Sequence, residues 1–211
     1  VNEDNVDLNR SFVDHATGTY PENPGYADLA DAIVPRVWTE ESRRAADEEF
    51  GAYAAKHGEH AMQSAYRRGQ HSHAAGLFYG GRAPTWSAAT VAAICAEQLI
   101  GARRAGLIDV HTGLGPFGYG DCLTIYDPAS PEGRRASDWY GLVRHTMDKE
   151  SGYAGSQGTI INGYTRAAPE IEWTCIGVEF GTRPPAEMRT ALRAECWLHA
   201  YGGRNHPDAA A

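Results

Sequence analysis

Two apolar runs, each ending in a polar residue, dominate the hydrophobic pattern of the chain. The first covers residues 106–110, ends at His111 and is followed by repeated glycine over residues 113–120. The second covers residues 173–178 and ends at Glu179. Short aliphatic runs that stop at a polar residue are typical of buried strands that deliver a side chain to a loop. Open α/β sheets carry their chemistry at such strand ends, so the pattern predicts a histidine and a carboxylate there.

Helical periodicity predicts the elements around these two strands. We expect helices over residues 26–34, 39–68, 87–104, 138–147 and 184–201. Gly51 and Gly58 are candidate breaks in the longest of them. A further strand is expected over residues 122–126, and the glycine-rich, polar residues 151–168 are expected to form a long functional loop. This alternation predicts a three-layer α/β domain, with helices on both faces of a largely parallel sheet.

Composition narrows the class of protein. A chain of 211 residues with 42% hydrophobic content can bury one sizeable core, which favours a single domain. Lys and Arg number 19 against 27 Asp and Glu, and the formal net charge is -8. Nucleic acid and anionic membrane surfaces are therefore poor candidate partners. The longest nearly uncharged apolar region, residues 88–96, is far shorter than the ~20 residues of a membrane span.

The cysteines indicate a reducing compartment. Four are present, and none forms a C-x-x-C pair: Cys95, Cys122, Cys175 and Cys196. Buried, reduced thiols are the favoured interpretation, and they point to the cytoplasm. Cys122 is also a candidate nucleophile beside His111, although nothing in the sequence marks its thiolate as stabilised.

Two other motifs give only weak evidence for a functional site. Residues 113–118 match the dinucleotide-binding pattern G-x-G-x-x-G, but Pro116 interrupts it and a strand-like segment follows, which disfavours a nucleotide site. Residues 155–158 are one residue short of the nucleophile elbow of serine hydrolases.

The remaining histidine pairs are ambiguous. His57 and His60 lie one helical turn apart, as in some metal sites, but packed or surface histidines are the favoured interpretation. His71 and His73 lie in an aromatic connector over residues 69–86, where substrate-loop and structural roles both stay open.

Three short motifs occur in a characteristic order: D-L-N-R-S-F at residues 7–12, D-V-H-T-G at 109–113 and E-F-G-T at 179–182. In that order they resemble the zinc metallocarboxypeptidase superfamily. The most similar branch is a bacterial group related to succinylglutamate desuccinylase and aspartoacylase. Further agreement comes from residues 21–26, 76–81, 84–87 and 113–116.

The resemblance implies a role for four residues. His111 would be a zinc ligand, and Glu179 would be the general base and proton shuttle. Asn9 and Arg10 would hold a free carboxylate of the substrate. The chemistry suits these residue types, because zinc with three protein ligands brings its bound water to a pKa of about 7. Arginine also offers a planar fork that matches a carboxylate, which lysine does not.

One motif of the superfamily has no match in this sequence. Its other two zinc ligands come from an H-x-x-E motif upstream of the D-x-N-R segment, and no such motif precedes Asp7. An arginine that polarises the scissile carbonyl is also expected upstream. The chain starts at Val1 without a signal-like segment. We therefore expect the C-terminal portion of a catalytic domain, inactive without the rest.

These observations together predict a zinc-dependent amide hydrolase whose substrate is a small molecule or peptide with a free carboxylate. The bond cleaved would lie at a peptide C-terminus, or in an N-acyl amino acid as in deacylases of the aspartoacylase type. The alternative from another class is a metal-free, non-catalytic domain that keeps only the carboxylate-binding cavity.

Overall fold

A computed structural model describes residues 1–141, 143–146 and 156–202. The helices in these ranges are α1 (Leu8–Ser11), α2 (Pro24–Ile33), α3 (Glu40–His57), α4 (Glu59–Arg67), α5 (Trp86–Gln98), α6 (Pro131–Tyr140), α7 (Ile160–Ala167) and α8 (Pro185–Trp197). The strands are β1 (Arg104–Phe117), β2 (Gly120–Thr124), β3 (Arg144–His145) and β4 (Glu172–Gly181). A 3₁₀ turn covers His15–Thr17, and a π-helical turn, Leu198–Gly202, follows α8.

The four strands form one mixed sheet in the order β1-β4-β2-β3. Strands β1 and β4 run parallel, as do β2 and β3, whereas β2 and β4 are antiparallel. Side chains alternate between the two faces of β4. Trp173 and Cys175 pack with residues of α5 and α7, whereas the Thr174 hydroxyl accepts a hydrogen bond from Arg135 of α6. Helices thus cover both faces, which confirms the predicted α/β fold class.

Among the residues that the structure describes, the buried apolar side chains form two clusters. One joins helices α2, α3, α4 and α8 through residues such as Tyr26, Ile33 and Phe50. The other lies between α5, α7 and the sheet and includes Val91 and Cys175. The sheet cluster holds the strands that carry His111 and Glu179, and it includes Phe12, next to the D-x-N-R segment. Within the described ranges, no helix is both long enough and apolar enough to span a membrane.

Two helix boundaries differ from the predicted ones because glycine interrupts the backbone. The single helix expected over residues 39–68 is instead α3 followed by α4. The break is at Gly58, whose φ of 91° is unfavourable for other residues, whereas Gly51 stays inside α3. Helix α5 ends at Gln98 rather than near Arg104, because the chain turns through Gly101 at a φ of 76°.

Two further predictions in the second half are wrong. The helix expected over residues 138–147 is α6, which begins at Pro131 after the N-cap Ser130 and ends before Gly141. Strand β3 occupies part of the predicted range, and Met147 lies outside the described residues. The loop expected over residues 151–168 contains the helix α7, capped by a reciprocal Thr159–Asn162 box. Residues 151–155 of that loop lie outside the described ranges.

Candidate active site

Strands β1 and β4 bring His111 and Glu179 side by side. The two residues are direct partners in the parallel register, and Nδ1 of His111 lies 3.9 Å from Oε2 of Glu179. Neither residue ends its strand, because β1 continues to Phe117 and β4 to Gly181. The glycine-rich segment after His111 is therefore an irregular extension of β1 rather than the predicted loop, with a register shift between Gly113 and Phe117.

The other ring nitrogen of His111 faces Asp109. The Nε2 atom lies 2.6 Å from Oδ2 of Asp109, and Nδ2 of Asn9 is 3.4 Å from the same nitrogen. The hydrogen bond with Asp109 raises the pKa of His111, burial opposes it, and the charges of Glu179 and Asp7 add to the rise. In the neutral imidazole, a proton on Nε2 bonded to Asp109 leaves the Nδ1 lone pair on the side of Glu179.

Glu179 is buried, with 7% of its surface exposed. A carboxylate at such a position is shielded from bulk water, which strengthens its interaction with any nearby charge or proton. Gly113 of β1 leaves room beside it, because a Cβ atom there would lie 3.8 Å from Oε1 of Glu179 and 3.4 Å from Cε of Met188. The first turn of α8 therefore closes one side of the site.

Asn9 links the D-x-N-R segment to the sheet and to α7. Its backbone N–H donates to Oδ1 of Asp7, and its side-chain Oδ1 accepts from the N–H of Ile160 at 2.7 Å. The amide nitrogen is left facing His111. Asn9 thus lies at the site, with a donor rather than an acceptor directed towards the imidazole.

Arg10 lies at the site with its guanidinium already engaged. Nη1 donates to the carbonyl of Asn9 at 2.8 Å, and Nη2 donates to the carbonyl of Arg67 at 2.9 Å. The group lies 5.2 Å from the centre of the Phe78 ring, and 12% of the side chain is exposed. Arg10 therefore ties α1 to the last carbonyl of α4, where a cation also complements the helix dipole.

A cavity of about 280 Å³ joins these residues. His111 and Glu179 line it together with three arginines, Arg10, Arg67 and Arg189. Apolar side chains complete the wall: Tyr66, Phe78, Met188 and Leu192. This volume, the mixed polar and apolar lining and the strand-borne pair are typical of a site for a small ligand.

The described residues do not form a complete zinc site. Within residues 1–141, 143–146 and 156–202, no group of three or more His, Cys, Asp or Glu side chains is arranged to hold a metal ion. His111 suits one nitrogen ligand, since Asp109 orients the ring from behind as the partners of metal-bound histidines do. A second and third ligand have no counterpart in the described part of the chain.

The other candidate residues lie in structural settings. His57 and His60 are exposed, and the His57 ring packs against Tyr53. His71 is buried, with Nδ1 bonded to the carbonyl of Gly81 at 2.6 Å, and the His73 ring lies 5.4 Å from that of Tyr26. All four cysteines are free thiols, and Cys122 is paired with Val178 in the antiparallel β2–β4 register.

Three residues of the site were not singled out from the sequence. Asp109 lies in the quoted D-V-H-T-G motif, and its spacing of two from His111 in a strand was the available signal. Arg67 and Arg189 come from the end of α4 and from α8, far apart in sequence and outside every motif. Nothing in the local pattern distinguishes them from surface arginines.

Comparison with known proteins adds one relationship. A family model described as "Protein of unknown function (DUF2817)" matches residues 1–211. No curated protein and no solved structure matches the chain significantly. Because the match covers all 211 residues, the chain belongs to the DUF2817 family.

Proposed function

We propose that this chain supplies the substrate-binding and proton-transfer residues of a zinc-dependent amide hydrolase of the metallocarboxypeptidase type. The observation that carries the proposal is the register pairing of His111 with Glu179, 3.9 Å apart at the wall of a cavity of about 280 Å³. The order of the D-x-N-R, D-V-H-T-G and E-F-G-T motifs supports the same reading. The DUF2817 match does not conflict with it.

In this proposal Glu179 is the general base. Its carboxylate takes a proton from the attacking water and returns it to the nitrogen of the leaving amine. Burial suits this role because the interaction of the carboxylate with a bound group is screened less there than in bulk water. A zinc ion, when bound, would supply Lewis acidity and a water of lowered pKa. His111 would be one ligand, and the others would come from outside the described residues.

The proposed substrate is small and carries a free carboxylate next to the amide. The arginines and apolar side chains around the cavity fit an occupant about the size of one amino acid. Asn9 and Arg10, to which the resemblance assigns the carboxylate, line this cavity together with Arg67 and Arg189. A peptide C-terminus and an N-acyl amino acid both satisfy the description. The free and mostly buried thiols fit a cytoplasmic location for the enzyme.

One observation favours a metal-free binding domain as a second candidate. The imidazole of His111 lies between the carboxylates of Asp109 and Glu179, which raises its pKa and favours the imidazolium form. An imidazolium donates from both nitrogens and cannot ligate a metal. In that case the cavity would bind a carboxylate without hydrolysing anything.

Hydrolysis of N-acyl amino acids and dipeptides by the protein encoded by the complete gene tests the proposal. Glu179→Gln should lower kcat by about a hundred-fold or more, because the base is lost while the side-chain volume is kept. Glu172→Gln is the matched control on the same strand, exposed and paired with Arg104, and should keep the rate. Equal rates for Glu179→Gln and the parent protein would remove Glu179 from the mechanism.

A further inference from the structure

Three arginines line the cavity, but they are not equally available to a ligand. A guanidinium recognises a carboxylate through N–H groups that point at it, so its existing hydrogen bonds decide whether it can do so. The partners of Arg10, Arg67 and Arg189 can therefore be compared one by one.

Arg10 already donates hydrogen bonds within the protein. Both terminal nitrogens donate to backbone carbonyls, those of Asn9 and Arg67. The Nε edge packs against the backbone of Gly69, where even a Cβ atom would come within 2.9 Å of Nε. Turning the guanidinium towards a ligand would leave the last carbonyl of α4 without this donor, which is unfavourable for a partly buried acceptor.

Arg67 is also engaged at its own helix end. Its Nε donates to the hydroxyl of Tyr66 at 2.9 Å, and its guanidinium carbon lies 5.3 Å from the centre of the Tyr66 ring. The group is thus held over an aromatic face by a hydrogen bond and a cation–π contact together.

Arg189 differs from both. Its Nε, like that of Arg10, is shielded from solvent and has no hydrogen-bond partner among the described residues, so the difference between the two arginines lies at their terminal nitrogens. Its ion contact, from Nη2 to Oδ1 of Asp47, is 3.7 Å long, and the Asp47 side chain is 60% exposed. A charge-assisted hydrogen bond is typically 2.7–2.9 Å long, and exposed ion pairs contribute little. The ring of Phe50, 5.4 Å from the guanidinium carbon, orients the group without using its N–H donors.

The surroundings of Arg189 favour the binding of an anion. Met188 and Leu192 of the same helix line the cavity together with Phe78. These apolar groups exclude water, so an ion pair formed among them is screened less than one at the surface. Gly113, whose absent side chain leaves space between Met188 and Glu179, connects this wall with the proposed base.

We propose that Arg189 is the specificity-determining residue that receives the carboxylate of the substrate, and that Arg10 instead holds the cavity wall. The substrate class is a monocarboxylate about the size of one amino acid, with an apolar group beside the carboxylate. This assignment rests on the proposed function, because a carboxylate bound at Arg189 would place the amide of the substrate in the same cavity as Glu179, the proposed base.

Side-chain NMR of the arginine Nε–H groups tests the assignment on the 211-residue chain. The probe is 3-phenylpropionate, and 3-phenylpropanamide is the matched compound without the charge. Arg189→Lys and Arg10→Lys identify the two signals. The Arg189 signal should shift saturably with the acid and not with the amide. Arg189→Gln should weaken binding of the acid about tenfold or more, with an unfolding midpoint close to that of the parent.

Two results would overturn the assignment. In one, the Arg10 signal shifts with the acid while that of Arg189 stays in place. In the other, no arginine signal responds up to about 50 mM acid, a concentration that saturates even a site with a Kd of about 1 mM. Neither outcome depends on hydrolysis, so a failed Glu179→Gln test would leave an Arg189 shift standing and would identify a carboxylate-binding domain.

Discussion

Asp109 and His111 lie two positions apart on β1, and Oδ2 of Asp109 is 2.6 Å from Nε2 of His111. Side chains two apart in a strand share one face of the sheet, so the strand itself holds the pair together. Glu179 lies opposite His111 on β4 and approaches the other ring nitrogen. The imidazole is therefore oriented from one side by a carboxylate that belongs to its own strand.

Asp109→Asn should keep the orientation of the His111 ring but remove the negative charge beside it. The amide oxygen can still accept from Nε2, but the negative charge that raises the pKa of His111 is lost. We expect the pKa of His111 to fall, measured by NMR titration of its ring Cε1–H signal. In the proposed hydrolase, where His111 would be a zinc ligand, activity should drop about 10–100-fold, as is typical when the partner of a ligating histidine is changed.

Asp138→Asn on the exposed side of α6 is the control for this titration. It removes the same charge at a carboxylate that is not among the groups acting on the pKa of His111, so it should leave the His111 titration unchanged. If Asp109→Asn also left the pKa of His111 unchanged, Asp109 would not be its principal electrostatic partner.

The strand pair could be predicted because its information is local. The apolar run before His111 predicts one strand, and the apolar run before Glu179 predicts another. Parallel pairing of these two strands then brings the two residues together. The break at Gly58 was also visible, since glycine was the candidate there. Helix α7 was missed although Ile160, Ile161 and Tyr164 recur at helical spacing, because it is only eight residues long and lies in a segment rich in glycine and polar residues.

The cavity wall could not be predicted in the same way. Arg189 reaches the site only because α8 packs beside Gly113 and the Phe50 ring, and those contacts join distant parts of the chain. Arg10 was assigned by motif alone, and a motif does not show that a guanidinium already donates to two carbonyls. The acceptors to which an arginine donates depend on tertiary packing, which local sequence does not encode.

Gly69→Ala should destabilise the D-x-N-R segment. Gly69 has a φ of 93°, and a Cβ atom would meet Cγ and Nε of Arg10 at 2.9 Å. We expect a loss of about 1–3 kcal/mol in the free energy of unfolding, measured by urea denaturation. Gly51→Ala is the control inside α3, where a Cβ would meet nothing within 4 Å, and it should gain about 0.5–1 kcal/mol. Equal effects at the two sites would contradict the packing described for Arg10.

His71 should make stability fall as the pH is lowered. Burial lowers its pKa below the usual 6.5, despite the hydrogen bond to Gly81, and His15 and Arg82 lower it further. The unfolded chain therefore binds the proton first, so this contribution is complete above about pH 6.5 and is lost as the pH falls through the folded-state pKa.

The measurement compares urea unfolding at about pH 7.5 and about pH 5.5. His71→Gln should lose less stability between these two conditions than the parent protein, because the glutamine amide does not titrate. His60→Gln, at an exposed position, should behave like the parent. A His71→Gln protein with the same pH dependence as the parent would show that another group causes it.

Arg193 should be the arginine whose loss affects folding most strongly. Its side chain is 1% exposed, and it donates from Nε to the carbonyl of Ile33 and from Nη2 to that of Ala32. These carbonyls belong to the last turn of α2, so Arg193 joins α8 to α2 and satisfies groups that the helix leaves unpaired.

Arg193→Met keeps much of the apolar volume but leaves both carbonyls without this donor. We expect the free energy of unfolding to fall by about 2–5 kcal/mol, because each buried acceptor that loses its partner costs about 1–3 kcal/mol. Arg183→Met, at an exposed position just before α8, should change it by about 0.5 kcal/mol or less. Circular dichroism during urea denaturation measures both values. Similar losses for the two variants would mean that α8 is not anchored to α2 through this guanidinium.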